Sequence, residues 1–415
     1  MTAKALHPGD LPGVLPPGGL TLVSSSPAES DLLAAEVAAC DGALGDMAFS
    51  GIFVPGLNKA TWNAGPDSRV LTFFQTPELR REGARSRFVP ICYQDVMRLY
   101  RQQMPAAALV MVSPPDADGM CSFGAETAFI AALWREIPVR IAHINPLMPR
   151  TAGDPGIHID QLTGYFEGEQ PLKTMSSGAA DAVSLAIAEH IAPLVPNGAT
   201  LQTGLGKIPD AVLRALTGHR DMRFHTGLIG DGALELVRSG AMAPGASALV
   251  GVAIGSPELY QGLDHPHFQF RPITVTHDLR TLAAIDRLVT INSAMEVDLY
   301  GQVHAEASAR GFMSGPGGAG DYARGARISE GGLRIIALPS EAGAISRIIP
   351  AGAGHGPVSL SRFDVDVIVT EHGVADMRYL GHEARAQALI AIAAPAHREE
   401  LARHWRDHMQ ALQER

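Results

Sequence analysis

A chain of 415 residues with 46% hydrophobic and 18% charged side chains is too long for one ordinary domain and apolar enough for two large cores. Thirty-three basic against 43 acidic residues leave a formal charge of −10 with no basic cluster, which argues against nucleic acid as a partner. No apolar run approaches the ~20 residues that span a bilayer, and Cys40, Cys92 and Cys121 are too scattered for a disulfide framework or a metal knuckle.

The first half alternates strands and helices. Thr21–Val23, Val70–Phe74, Ala108–Val112 and Val139–Ile144 read as buried strands, and Ser30–Ala39, Tyr93–Gln103 and Ala125–Arg135 carry helical periodicity. That alternation is the grammar of a parallel α/β sheet. After Val112, the loop from Ser113 to Gly119 sits at a strand's carboxyl end, where such sheets place ligands. Residues 151–178 are polar and weakly periodic and are taken as a linker. Two domains are therefore expected, 1–178 and 179–415, each an open α/β domain with a mostly parallel sheet and with the active site in the cleft between them. The opening residues, Met1 to Pro8, contain no hydrophobic export segment, so a cytoplasmic location is expected.

In the second half, Thr200–Thr203 reads as a strand running into Gly204-Leu205-Gly206-Lys207-Ile208-Pro209 and a helix from Asp210 to Leu216. A strand, a Gly-x-Gly turn and a helix N-terminus make an anion site, with Gly204 and Gly206 as its loop. The third glycine of a dinucleotide fingerprint is missing. Ile273-Thr274-Val275-Thr276-His277 reads as a β-branched strand. Leu288–Ile291 is a strand that delivers Asn292 and Ser293 to its end, followed by Glu296 among Ala294, Met295, Val297 and Leu299. Some twenty residues on comes the loop Ser314-Gly315-Pro316-Gly317-Gly318, whose amides could line a developing oxyanion. A semi-buried carboxylate near such donors can serve as a covalent nucleophile. Leu333–Leu338 and Val365–Val369 are further strands, and helices over Glu383–Ala393 and Pro395–Gln413 close the chain.

Other chemistries leave weaker traces. No Gly-x-Ser-x-Gly elbow is present, and His265, His267 and His277 lack an accompanying HExxH or cysteine set, so no metal is expected. Asp298, two residues beyond Glu296, is read as a structural hydrogen-bond acceptor.

Asn-Ser-Ala-Met-Glu-Val-Asp-Leu-Tyr-Gly-Gln-Val from Asn292, Ser-Gly-Pro-Gly-Gly-Ala-Gly-Asp-Tyr from Ser314 and Thr-Glu-His-Gly-Val-Ala from Thr370 resemble the signatures of the acetyl-CoA hydrolase/CoA-transferase family. That family includes 4-hydroxybutyrate, butyrate and succinate:acetate CoA-transferases. The resemblance implies that Glu296 is the nucleophile and that a glutamyl-CoA thioester is the intermediate. It places coenzyme A against Ile273, Thr274, Val275, Thr276 and His277, against Gly315, Gly317 and Gly318, and against Gly373. Acyl-CoA and a small carboxylic acid are the implied substrates. No permanently bound cofactor, nucleic acid or membrane is expected, and a homo-oligomer, a dimer, is. An acyl-CoA hydrolase on the same scaffold and a non-catalytic CoA-binding protein are the alternatives. Three positions depart from the family pattern: Pro316 cannot donate an amide, His304 stands where Asn is common, and Gly227 stands where an acidic residue is common. Arg324, Arg327, Arg347 and Arg378 are the cations that could meet a second charge on an acyl group.

Overall fold

The computed structural model describes residues 3–308 and 311–414, so Met1 and Thr2 of the opening segment lie outside the described residues. Contacts gather the chain into two compact units. The first holds Met1–Ser176 with Thr226–Asp231 and Gly245–Asp278, and the second holds Ser177–His225, Gly232–Pro244 and Leu279–Arg415. These are not two consecutive stretches divided at 178: two later segments group with the first unit.

The first unit is built on an eight-stranded parallel sheet. Its order is Lys4–Ala5, Gly164–Glu167, Val139–Ile144, Ala107–Val112, Leu20–Val23, Ala48–Gly51, Arg69–Thr72 and Ser86–Phe88. All six residues of Ala107–Val112 are buried, as expected of a parallel strand covered on both faces. Between strands, Asp31–Ala39 begins at Ser30, whose hydroxyl accepts from the Leu33 amide at 3.0 Å. Part of the expected linker belongs to this sheet: Gly164–Glu167 runs parallel to Val139–Ile144 with Gly164 opposite Ile141. The strand carries little apolar signal because it is four residues long. Gly164 contributes no side chain, and a Cβ there would stand 2.9 Å from Leu6.

The later segments join this unit through backbone bonds. Ala248–Ala253 pairs in parallel with Phe268–Phe270, Ala253 N–H donates to Ala125 O at 2.9 Å, and Phe270 N–H donates to Ala152 O at 2.7 Å. The expected strand at 273–277 is instead a helical turn, Ile273–Thr276. Pro272 fixes the entry, and its carbonyl accepts from Val275 at 2.9 Å and Thr276 at 3.1 Å. Local bonding to that carbonyl overrides the β-branched composition, which is a weak preference.

In the second unit, Thr200–Thr203 pairs with Arg223 and Phe224 on one side and with Leu288–Ser293 on the other. Leu333–Ala337 and Val367–Thr370 continue the sheet in parallel, and Gly373–Asp376 adds an antiparallel edge. Helices His382–Ile392 and Arg398–Gln413 close a core that includes Val297, Leu299, Ile348, Leu389 and Trp405. Among the described residues no helix is long and apolar enough to cross a membrane.

Candidate active site

The strand Leu288–Ser293 is buried for its first four residues and then turns through Ala294 and Met295 into a short strand, Glu296–Asp298. This strand is the middle of three. Val303–His304 runs antiparallel to it with Glu296 opposite His304, and Ile348–Ile349 runs parallel with Val297 opposite Ile348. Met295 N–H donates to His304 O at 2.9 Å and Val297 N–H to Arg347 O at 2.8 Å, so the backbone on either side of Glu296 is fixed. At the strand's entry, Asn292 and Gln202 exchange two amide bonds of 3.0 and 3.1 Å.

Glu296 is only 6% exposed. Both of its carboxylate oxygens are engaged by one residue. His355 Nδ1 lies 2.6 Å from Oε1, and the His355 backbone N–H donates to Oε2 at 3.1 Å. A buried carboxylate must find such partners, because desolvation without them costs several kcal/mol. Asp298 is occupied differently. Its Oδ1 accepts from the amides of Tyr300 and Gln302 at 3.0 and 2.9 Å, and its Oδ2 accepts from Gly352 at 3.0 Å. Asp298 is thus a structural hydrogen-bond acceptor, as the sequence suggests, and it holds the turn that follows.

His304, one of the departures from the family pattern, is buried, with Nδ1 at 3.1 Å from the carbonyls of both Gly356 and Pro357. Two carbonyl neighbours require Nδ1 to carry the proton. Glu306 is buried two residues further on, and its Oε1 accepts from the Ser359 hydroxyl at 2.8 Å. Burial pushes its carboxyl above the ordinary value.

An open pocket of about 540 Å³ abuts this strand system within the second unit. Gly206 and Lys207 form one wall and Ser293 to Met295 another, and Asp181, Ser184, Ser314 and Arg347 add polar groups to the lining. The pocket thus joins the Gly-x-Gly turn to the residues just before Glu296 and to the start of the glycine loop. Gly206 needs its φ of +120°, where side chains are rarely accommodated, and the helix it precedes starts at Lys207 rather than at Asp210. Gly204, Gly315, Gly317 and Gly318 are not among the walls, nor is Glu296 itself. Gly318 caps the helix Ala319–Ile328 and Gly317 adopts φ +56°, while Ser314 N–H donates to Glu306 O at 3.1 Å. Gly373 opens the edge strand at φ +138°.

Ile273 to His277 belong to the first unit, where Ile273, Thr276 and His277 are buried. Gln94 Nε2 donates to His277 O at 2.6 Å, and the rings of Tyr93 and His277 lie 5.2 Å apart. Gly227, another departure, faces this imidazole: a Cβ at 227 would overlap the His277 ring. Histidine at 277 therefore occupies the space that a side chain at 227 would need. His265 and His267 stack on one another at 5.2 Å, and His267 Nδ1 lies 2.6 Å from Gly245 O and 2.8 Å from the Ser247 hydroxyl.

The C-terminal domain of the acetyl-CoA hydrolase/transferase family matches residues 255–405. The 4-hydroxybutyrate coenzyme A transferase of Clostridium kluyveri is 37% identical over 329 residues, 76% of this chain and 76% of that protein. The chain belongs to the acetyl-CoA hydrolase/transferase family. A second member, the succinyl-CoA:cyclohexane-1-carboxylate CoA transferase of Geobacter metallireducens, is 34% identical over 354 residues, covering 82% of this chain and 81% of that one. Among solved structures, RipA from Yersinia pestis is similar at a TM-score of 0.88 with 28% identity over 98% of this chain and 97% of that one.

Within this family frame, the residue that sequence reasoning missed is His355. It lies 59 positions from Glu296, in a stretch without secondary structure, Gly352 to Pro357. No local pattern marks such a partner; only the folded chain brings the two together.

Proposed function

We propose that this protein is an acyl-CoA:carboxylate CoA-transferase whose nucleophile is Glu296. The observation that carries the reading is a carboxylate 6% exposed, held at both oxygens by His355, on the strand beside the 540 Å³ pocket. Poor hydration leaves a carboxylate more reactive toward an acyl carbon, and fixed donors keep it aimed. A Glu296 oxygen attacks the thioester carbonyl, the C–S bond breaks, and CoA leaves as thiolate with the electron pair. The thiolate attacks the glutamyl carbonyl of the anhydride, and the donor acid departs as carboxylate. An acceptor carboxylate reverses both steps and leaves as a new acyl-CoA, with Glu296 restored and no net proton consumed.

Each tetrahedral intermediate carries charge on oxygen, and losing one oxyanion donor typically costs about 2.7–4 kcal/mol. The His355 amide, already on Oε2, is one donor for the glutamyl carbonyl, and the amides of Gly315, Gly317, Gly318 and Gly373 are assigned as others. Ile273 to His277 are assigned to coenzyme A, and Gly204 and Gly206 to an anionic group. Coenzyme A is a substrate here, not a resident cofactor. The reading includes a cytoplasmic homodimer, which light scattering would check.

Incubation with acyl-CoA and no acceptor acid should accumulate the glutamyl-CoA thioester. Borohydride should then inactivate the enzyme only when acyl-CoA is present, with mass spectrometry placing the change on Glu296. Glu296→Ala should abolish transfer, and Glu296→Asp, which withdraws the carboxylate by ~1 Å, should lose about 10²-fold. Near wild-type transfer by Glu296→Ala would overturn the assignment. CoA release that is indifferent to added acid would make the protein a hydrolase instead.

A further inference from the structure

The four arginines left unranked by the sequence are separated by the structure. Arg378 is committed to Asp376, with Nη2 at 2.6 Å from Oδ2 and Nε at 2.9 Å from Oδ1. Arg324 and Arg327 are exposed on the helix Ala319–Ile328, the latter 4.0 Å from Asp364. Arg347 differs from all three. It is half-buried, it lines the 540 Å³ pocket, and among the described residues its guanidinium has no hydrogen-bond or ion-pair partner.

Its backbone is nevertheless pinned. Arg347 N–H donates to Ser340 O at 2.8 Å, and its carbonyl accepts from Val297 at the same distance. Because Val297 and Ile348 are in register, Arg347 stands beside Glu296, about 4.8 Å away at the usual spacing of neighbouring strands. Lys207, another cation in the pocket, is compensated by Asp181, a pocket neighbour at 3.3 Å. Between apolar walls that include Leu205, Ile208 and Ala294, the pocket therefore holds one uncompensated positive charge.

We propose that Arg347 is a specificity-determining residue that favours acids carrying a second carboxylate, so that dicarboxylates are the preferred acyl class. This rests on Glu296 being the nucleophile. A planar fork of N–H donors matches a carboxylate in two-point contact, and a half-buried cation without a counter-charge disfavours a methyl group in its place. The phosphates of coenzyme A are the other anions within reach of such a residue. They lie a full pantetheine arm from the thioester, whereas Arg347 adjoins the nucleophile's own strand, so the carboxylate is favoured.

The test uses acetyl-CoA as donor and compares succinate with butyrate, acids of equal carbon count, as acceptors. The wild-type enzyme should show the higher kcat/KM with succinate. Arg347→Gln should lower the succinate-to-butyrate ratio by about tenfold to a hundredfold, the range expected when a hydrogen-bonded charge loses its partner. Arg347→Lys should restore part of it, since a point charge replaces the fork. A wild-type preference for butyrate, or a ratio unmoved in Arg347→Gln, overturns the proposal while leaving Glu296 as nucleophile. A rise in KM for acetyl-CoA that is the same with both acids overturns it in favour of a phosphate contact. Transfer to neither acid, with no thioester on Glu296, would instead sink the transferase reading. The wild-type comparison stands even if a variant fails to fold.

Discussion

Glu126, in the first unit, is a carboxylic acid in a place that resists charge. It is buried, with the Ser25 amide and hydroxyl each at 3.0 Å, and burial together with the nearby Glu29 pushes its pKa up to about 8. The folded state thus keeps a proton that the unfolded chain loses near the ordinary value of 4.5. Between those values the folded state binds more protons, so stability falls as pH rises, by at most about 1.4 kcal/mol per pH unit. Glu126→Gln, neutral at every pH, should match the wild type in urea midpoint at about pH 5 and exceed it at about pH 9. Parallel pH curves for the two proteins would refute this. Residue-scale legibility depended on neighbours in sequence. Glu296 stood out because apolar residues surround it. His355 and the ranking of Arg347 had no such signal, because both depend on which distant backbone lies alongside.

At the scale of elements, the three short strands around Glu296 leave little room for adjustment. Gly354 packs against the His304 imidazole so closely that a Cβ there would overlap three ring atoms. The ring cannot retreat, since it is buried and its Nδ1 is held by two carbonyls at 3.1 Å. Overpacking of this kind costs about 1–3 kcal/mol. Gly354→Ala should therefore destabilise the fold by that amount in denaturant titrations, and adding His304→Ala should recover part of the loss. An unchanged midpoint in the single variant would show that the loop carrying His355 yields freely. The strand Ala107–Val112 was legible because burial on both faces demands uninterrupted hydrophobic sequence. The turn at Ile273–Thr276 was not, because hydrogen bonds to Pro272 outweighed what its β-branched residues prefer.

At the scale of the whole molecule, the sequence supports two α/β units but not the path of the chain through them. A single cut at 178 assumes that each unit is one continuous stretch, whereas Gly245–Asp278 completes the first unit from the far side of the sequence. Its contribution there is backbone pairing as well as side-chain packing. Thr127 accounts for three such bonds, its N–H donating to Gly251 O at 3.1 Å and its hydroxyl to the carbonyls of Gly251 and Arg271 at 2.9 and 3.0 Å. Ala125 and Ala152 carbonyls accept from Ala253 and Phe270, and Met175 N–H donates to Gly255 O at 3.2 Å. Removing residues 245–278 would strip partners from these groups and take away the turn Ile273–Thr276, which packs against the helix Ala128–Leu133. Ala125 and Thr127 are buried, and each buried polar group left without a partner costs about 1–3 kcal/mol, a large share of the 5–15 kcal/mol that a domain has in reserve. The isolated 1–178 polypeptide is therefore expected to lack a cooperative thermal transition by circular dichroism and to bind a hydrophobic dye, whereas the full chain should melt cooperatively and leave the dye free. A sharp, reversible melt of 1–178 alone would show that the first unit is complete without its later segment.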